Sequence, residues 1–138
     1  MEQFLGLKED KVNYLKGLIR MAKADGKVLE SEKDYYASVI SGMNLSNSEV
    51  DFLNDLWEST NEITLSFTNK KEALFFIQSA IQMSMVDEEY DVTEKNEIRK
   101  IADELNVEST VVCAIEAWVE EGLAWRKKGE DLISSYCS

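Results

Sequence analysis

The sequence lies on itself. Shifted by 62 residues, Ile19–Ser46 matches Ile81–Glu108 without a gap, with six identities: Ile19/Ile81, Met21/Met83, Asp25/Asp87, Glu32/Glu94, Lys33/Lys95 and Asn44/Asn106. Average residue usage would give about one or two by chance over such a span. Conservative pairs fill in around them, among them Val39/Ile101, Ser31/Thr93, Met43/Leu105 and Leu45/Val107. The common core, I-x-M-x-x-x-D-x-x-x-x-x-x-E-K, is a hydrophobic stretch that turns acidic and then becomes hydrophobic again. The chain is therefore expected to build one unit twice.

What kind of unit follows from the punctuation. Proline is absent and glycine occurs six times in 138 residues. Proline breaks helix interiors, so its absence points to an all-α fold. The apolar spacing agrees. Val12, Leu15, Ile19 and Ala22 recur at steps of three and four, widened by Leu18 and Met21, and predict an amphipathic helix from Lys8 to about Ala24. Asp25-Gly26 should end it, since glycine permits a left-handed turn. Tyr36, Val39, Ile40 and Met43 predict a second helix, with Tyr35 beside its stripe. Ser46-Asn-Ser-Glu49 reads as a capping box opening a third, whose inward residues are Val50, Leu53, Leu56 and Trp57.

Ile63, Leu65 and Phe67 alternate, but a lone strand has no partner, so Asn61 to Thr68 reads as a connector. Asn69-Lys-Lys-Glu72 is another cap pattern. The helix after it carries Phe76, Ile77, Ala80, Ile81 and Met83, more apolar than its counterpart and so expected deeper. Thr93 to Leu105 and Glu108 to about Ala124 complete the second unit. A last short helix is expected over about 126–137, holding Leu132, Ile133 and Tyr136. The expected architecture is one compact domain of about seven helices: a repeat over about 8–60, a second over about 70–122, and the C-terminal helix.

Lys and Arg number 15 against 27 Asp and Glu, a formal charge of −12. Such a field repels phosphate backbones and anionic lipid surfaces, which argues against nucleic acid and membrane partners. It attracts basic proteins and divalent cations. No window approaches the length of a membrane span, so direct insertion is not expected, and the opening residues lack the pattern of a signal peptide. Cytoplasmic location is the expectation. Protein partners are expected too, and a dimer is open.

The two acidic turns are the candidate site. They are not EF-hands: counted from Asp25, positions 3, 5 and 6 are Lys27, Leu29 and Glu30, and counted from Asp87, positions 6 and 12 are Val92 and Ile98. The Asp-to-Glu spacing of seven residues allows something else. If the two turns meet in space, Asp25, Glu32, Asp87 and Glu94 offer clustered carboxylates of the kind that hard cations prefer, in the Ca or Mg/Mn class. Glu88, Glu89 and Asp91 would thicken the negative field. The plainer reading is that these acids are helix caps and dipole partners, each contributing up to about 1 kcal/mol.

Histidine is absent, which removes Ser-His-Asp and Cys-His catalysis and His-ligated metals. Cys113, between Val112 and Ala114, is expected to act as a buried small hydrophobe, and Cys137 has nothing to mark it as catalytic. Trp57, Trp118 and Trp125 read first as core fillers. Arg126-Lys-Lys128 reads as cations near the end of the preceding helix, or, with Trp125, as an interaction surface. No organic cofactor and no catalytic residue is expected; a metal-dependent hydrolase is the weaker alternative.

Ala24-Asp-Gly-Lys-Val-Leu-Glu-Ser-Glu32 and Ile101-Ala-Asp-Glu-Leu-Asn-Val107 resemble the motifs of the TerB-like family, the tellurite-resistance domain also similar to the N-terminal region of DjlA-type co-chaperones. The resemblance covers about residues 10–125. It implies an all-helical fold of two pseudo-repeated halves, a role in stress response, and acidic residues proposed to bind a divalent metal. Carried onto this chain, those are Asp25, Glu32, Asp87 and Glu94. The second turn departs from the pattern, with Asp87-Glu88 where the family prefers Asp-Gly, and the segment after Ala124 is not part of it. The function expected is a non-enzymatic, divalent-cation-binding interaction module, against a metal-independent helical scaffold.

Overall fold

A computed structural model of the chain describes residues 5–24, 26, 30–86 and 90–136. Among these residues the fold is all-α, with six helices and no strand: α1 Lys8–Lys23, α2 Glu30–Ser41, α3 Asn47–Asp55, α4 Lys70–Val86, α5 Val92–Glu104 and α6 Ser109–Tyr136. The seventh helix expected from the sequence is the far end of α6. Nothing interrupts the chain between Ala124 and Gly129: Arg126, Lys127 and Lys128 are good helix formers, and a lone glycine weakens a helix without ending it. Helix starts recur at the interval of the sequence repeat, Lys8 with Lys70, Glu30 with Val92, and Asn47 with Ser109.

The punctuation works as its chemistry demands. Gly26 takes the left-handed conformation (φ 75°) after α1. Ser46 and Glu49 form the reciprocal capping box of α3, with each backbone N–H bonded to the other's side chain. The Asn69 side chain accepts the Glu72 N–H at 3.0 Å, capping α4. Asn44 (φ 54°) and Asn106 (φ 59°), a matched pair in the repeat, both turn left-handed after the second helix of their half. At Asn106 the Val107 N–H reaches back to the Ala102 carbonyl at 2.8 Å, closing a Schellman turn. Each corner is held by a lysine of the half's first helix, Lys11 to the Met43 carbonyl and Lys70 to the Asn106 carbonyl.

The core lies between α1 and α4, with the other helices around them. Leu15 and Ile19 of α1 and Phe76, Ile77, Ala80 and Ile81 of α4 are wholly buried, each larger side chain contributing about 1.5–3 kcal/mol. Ile63 and Leu65 of the connector are buried too, so its alternation seats side chains without a sheet. Where the two central helices meet, Tyr14 and Phe76 stand edge to face, with centroids 5.7 Å apart. A Cβ on Gly17 would come within 2.3 Å of the Phe76 ring, so glycine is required there by close approach.

Two buried carboxylates clasp the helix entries. Asp10 accepts the Thr68 N–H at 2.9 Å and its hydroxyl at 2.6 Å. Glu72 accepts the Leu5 N–H at 2.8 Å. Each is the third residue of its helix and each holds the segment leading into the other one. Asp10 bonds Thr68 just before α4, Glu72 bonds Leu5 just before α1, and Tyr14 meets Phe76 between the two helices, so the entries of α1 and α4 lie together.

Three expectations about side chains are corrected. Cys113 is exposed, because the buried stripe of α6 runs through Val112, Ile115 and Val119 and passes it by. Trp118 and Trp125 are not core fillers; they are 50% and 79% exposed. Only Trp57 packs against the core, edge to face with Tyr36 at 5.2 Å. Arg126-Lys-Lys128 sits mid-helix, eight or more residues before Tyr136, beyond reach of the dipole at the C-terminal turn.

Candidate functional site

The two acidic turns, one after α1 and one after α4, are the candidate site. Glu32 and Glu94 are each the third residue of the helix that follows, α2 and α5, and both are partly buried. Asp25 and Asp87 lie outside the described residues. The described residues by themselves gather no group of three or more acidic, histidine or cysteine side chains able to hold an ion. A cation held by the four acids picked out in the sequence would therefore need Asp25 and Asp87. Such a set would be entirely carboxylate oxygen, which suits calcium, magnesium or manganese rather than a nitrogen- or sulfur-seeking metal.

Part of the acidity near the second turn is already spoken for. Asp91, and not Asp87, is the N-cap of α5: its Oδ1 accepts the Glu94 N–H at 2.9 Å. Beside it the Tyr90 hydroxyl donates to Glu116 Oε2 at 2.5 Å, and Arg99 Nη2 donates to Glu116 Oε1 at 2.7 Å. Burial pushes the Tyr90 hydroxyl well above its ordinary pKa, and the Glu116 bond adds to it. Burial alone would raise Glu116, but the bonds from Arg99 and Tyr90 outweigh it and hold the carboxylate low. This network ties the residue just after the second turn to α5 and α6. Lys95 stands 5.5 Å from the centre of the Tyr90 ring, and its counterpart Lys33 stands 5.8 Å from that of Trp57.

Behind the first turn, Arg20 joins α1 to α5 and to the connector. Its Nε donates to Glu97 at 2.5 Å, Nη1 to the Ile63 carbonyl at 3.1 Å, and Nη1 and Nη2 grip Glu104 at 2.9 and 2.6 Å. Burial would lower Arg20, yet the bonds to Glu104 and Glu97 win and its pKa rises; Arg20 in turn holds Glu104 low. The adjoining cleft of about 370 Å³ is polar, but its main cations are committed. Lys23 donates to the Leu56 and Ser59 carbonyls at 2.7 and 2.6 Å.

Asp10, Glu72 and Arg20 were not anticipated from the sequence. A signal for the first two was present: carrying the 62-residue shift upstream of Ile19 sets Asp10 on Glu72 and Tyr14 on Phe76. Those pairs are similar rather than identical, acid for acid and ring for ring. Arg20 had no such signal, because an arginine on a helix gives no hint of burial. Compared with protein-family models, curated proteins and solved structures, the chain finds no match.

Proposed function

We propose that the chain is a non-enzymatic, TerB-like helical module that binds one divalent cation between its two acidic turns and presents the resulting surface to a protein partner. The observation that carries this reading is the recurrence of the helix starts at the repeat interval, which gives Glu32 and Glu94 the same position in α2 and α5. The contact of the matched pair Tyr14 and Phe76 and the reciprocal clasps of Asp10 and Glu72 support a pseudo-twofold relation, and on this reading Asp25 lies beside Asp87. A cation there relieves the repulsion among four carboxylates and fixes the halves against each other. The stress-response role rests on the resemblance of the two motifs to TerB-like proteins.

A second reading is favoured by Asp91. Its side chain caps α5 by accepting the Glu94 N–H, and on this second reading the acids of both turns serve the helices alone, in a metal-independent scaffold. Thermal melts in calcium, magnesium, manganese and zinc separate the two. An ion bound only by the folded chain stabilises it by about 2.7 kcal/mol at a hundred times its dissociation constant, a rise of several degrees in Tm. The cation module predicts such a rise with an oxygen-seeking ion and its loss in Asp25→Asn/Asp87→Asn. The scaffold predicts no rise. A turnover that depends on the ion would favour the hydrolase alternative instead.

A further inference from the structure

From Ala124 to Tyr136 every residue of α6 is exposed, so this half of the helix projects from the body with an uncovered apolar stripe. The stripe is ordered. Trp118, Trp125 and Leu132 recur every seven residues, and Gly122, Gly129 and Tyr136 do the same four residues further on. Two interleaved series at this spacing form one coiled-coil seam, running down one side of α6. Along it, the largest side chain alternates with the smallest.

The glycines are the telling part. Glycine weakens a helix interior relative to alanine. At Gly17 the chain itself needs the missing Cβ, but a Cβ on Gly122 or Gly129 would meet no atom within 4 Å. Their smallness serves nothing inside the described chain. It leaves notches between exposed tryptophans.

We infer that α6 pairs antiparallel with α6 of a second copy, each tryptophan filling a glycine notch across the seam. One register satisfies the whole stripe. Trp118 lies over Gly129 of the second copy and Trp125 over Gly122, while Glu121 faces Lys128, and twofold symmetry repeats every contact. Charge selects the same arrangement despite the net charge of −12. Glu120 and Glu121 precede the midpoint of the seam, and Arg126, Lys127 and Lys128 follow it, with Glu130 and Asp131 further along the projecting end. Antiparallel pairing sets Glu121 of each helix against the basic triplet of the other. Parallel pairing sets tryptophan on tryptophan and glycine on glycine, with like charges abreast. The groove of about 390 Å³ between Gln82 of α4 and Trp118, Gly122 and Leu123 of α6 lies along this seam, where it receives the projecting segment of the second copy.

The test is the mass of the whole chain by sedimentation and light scattering across a concentration series, with helicity and Tm followed for each variant. The wild type should pass from monomer to dimer. Gly122→Leu/Gly129→Leu should keep its fold, since neither site is crowded within the chain, and raise the dissociation constant by roughly 100-fold or more. Glu121→Lys should weaken the dimer, and Glu121→Lys/Lys128→Glu should restore it. A wild type that stays monomeric at every concentration overturns the inference. So does a dimer indifferent to the leucines, or one that the charge exchange fails to restore.

Discussion

Replacing Gly17 with alanine sets two effects against each other. Alanine is the better helix former by about 1 kcal/mol, yet its methyl would stand 2.3 Å from the buried Phe76 ring. Overpacking of that kind costs about 1–3 kcal/mol, and a ring buried on every side cannot step away. Gly17→Ala should therefore lower the midpoint of urea unfolding, whereas Gly122→Ala, in open space within the chain, should not when measured at concentrations where the chain is monomeric. Arg20→Met leaves Glu97 and Glu104 without their shared cation in a partly buried place. Its expected cost is roughly 3 kcal/mol, read by the same unfolding curve, and Arg20→Lys should recover only part of it because lysine lacks the fork that grips Glu104. Burial of Leu15, Ile19 and Phe76 was legible from helical spacing. That of Arg20 and Asp10 was not, because Arg20 is held chiefly by α5 and Asp10 by the connector, pairings that a periodicity does not place.

Among the elements, the caps offer the cleanest separation of structural from functional acids. Ser46→Ala removes the acceptor of the α3 capping box and should cost about 1 kcal/mol. Asp91→Ala should cost a similar amount by uncapping α5, and it should leave any response to added cation intact. Loss of that response in Asp91→Ala would move the site from Asp87 to Asp91. Helix starts were readable from caps and the repeat, since serine, asparagine and aspartate announce them. The end of the last helix was not. A last short helix was expected over about 126–137, opening at the basic triplet, but those residues do not break a helix, and α6 runs through them. The tryptophans misled for a related reason: helical spacing tells which residues share a face, and not whether anything covers it.

At the scale of the whole molecule, acid should act through the two carboxylates that brace the site. Glu104, bonded by Arg20, and Glu116, bonded by Arg99 and Tyr90, both titrate below the ordinary value of 4.5 in the folded chain. A carboxylate held low in the fold stabilises it at pH above the ordinary value and loses that contribution as pH falls through the folded one. Tm should thus be level down to about pH 5 and fall below it, and Arg20→Met should flatten the part of that fall due to Glu104. The all-helical class was legible from the missing proline. The meeting of the halves was not, because a repeat states that two units are alike and leaves open how they pack. The central claim is that the two turns share one ion. Calorimetric titration of the whole chain with calcium and with manganese tests it most directly. One ion per chain should bind for at least one of them, and binding should be lost in Asp25→Asn alone and equally in Asp87→Asn alone. Two ions per chain, binding that survives either substitution, or no heat of binding with either ion would contradict it.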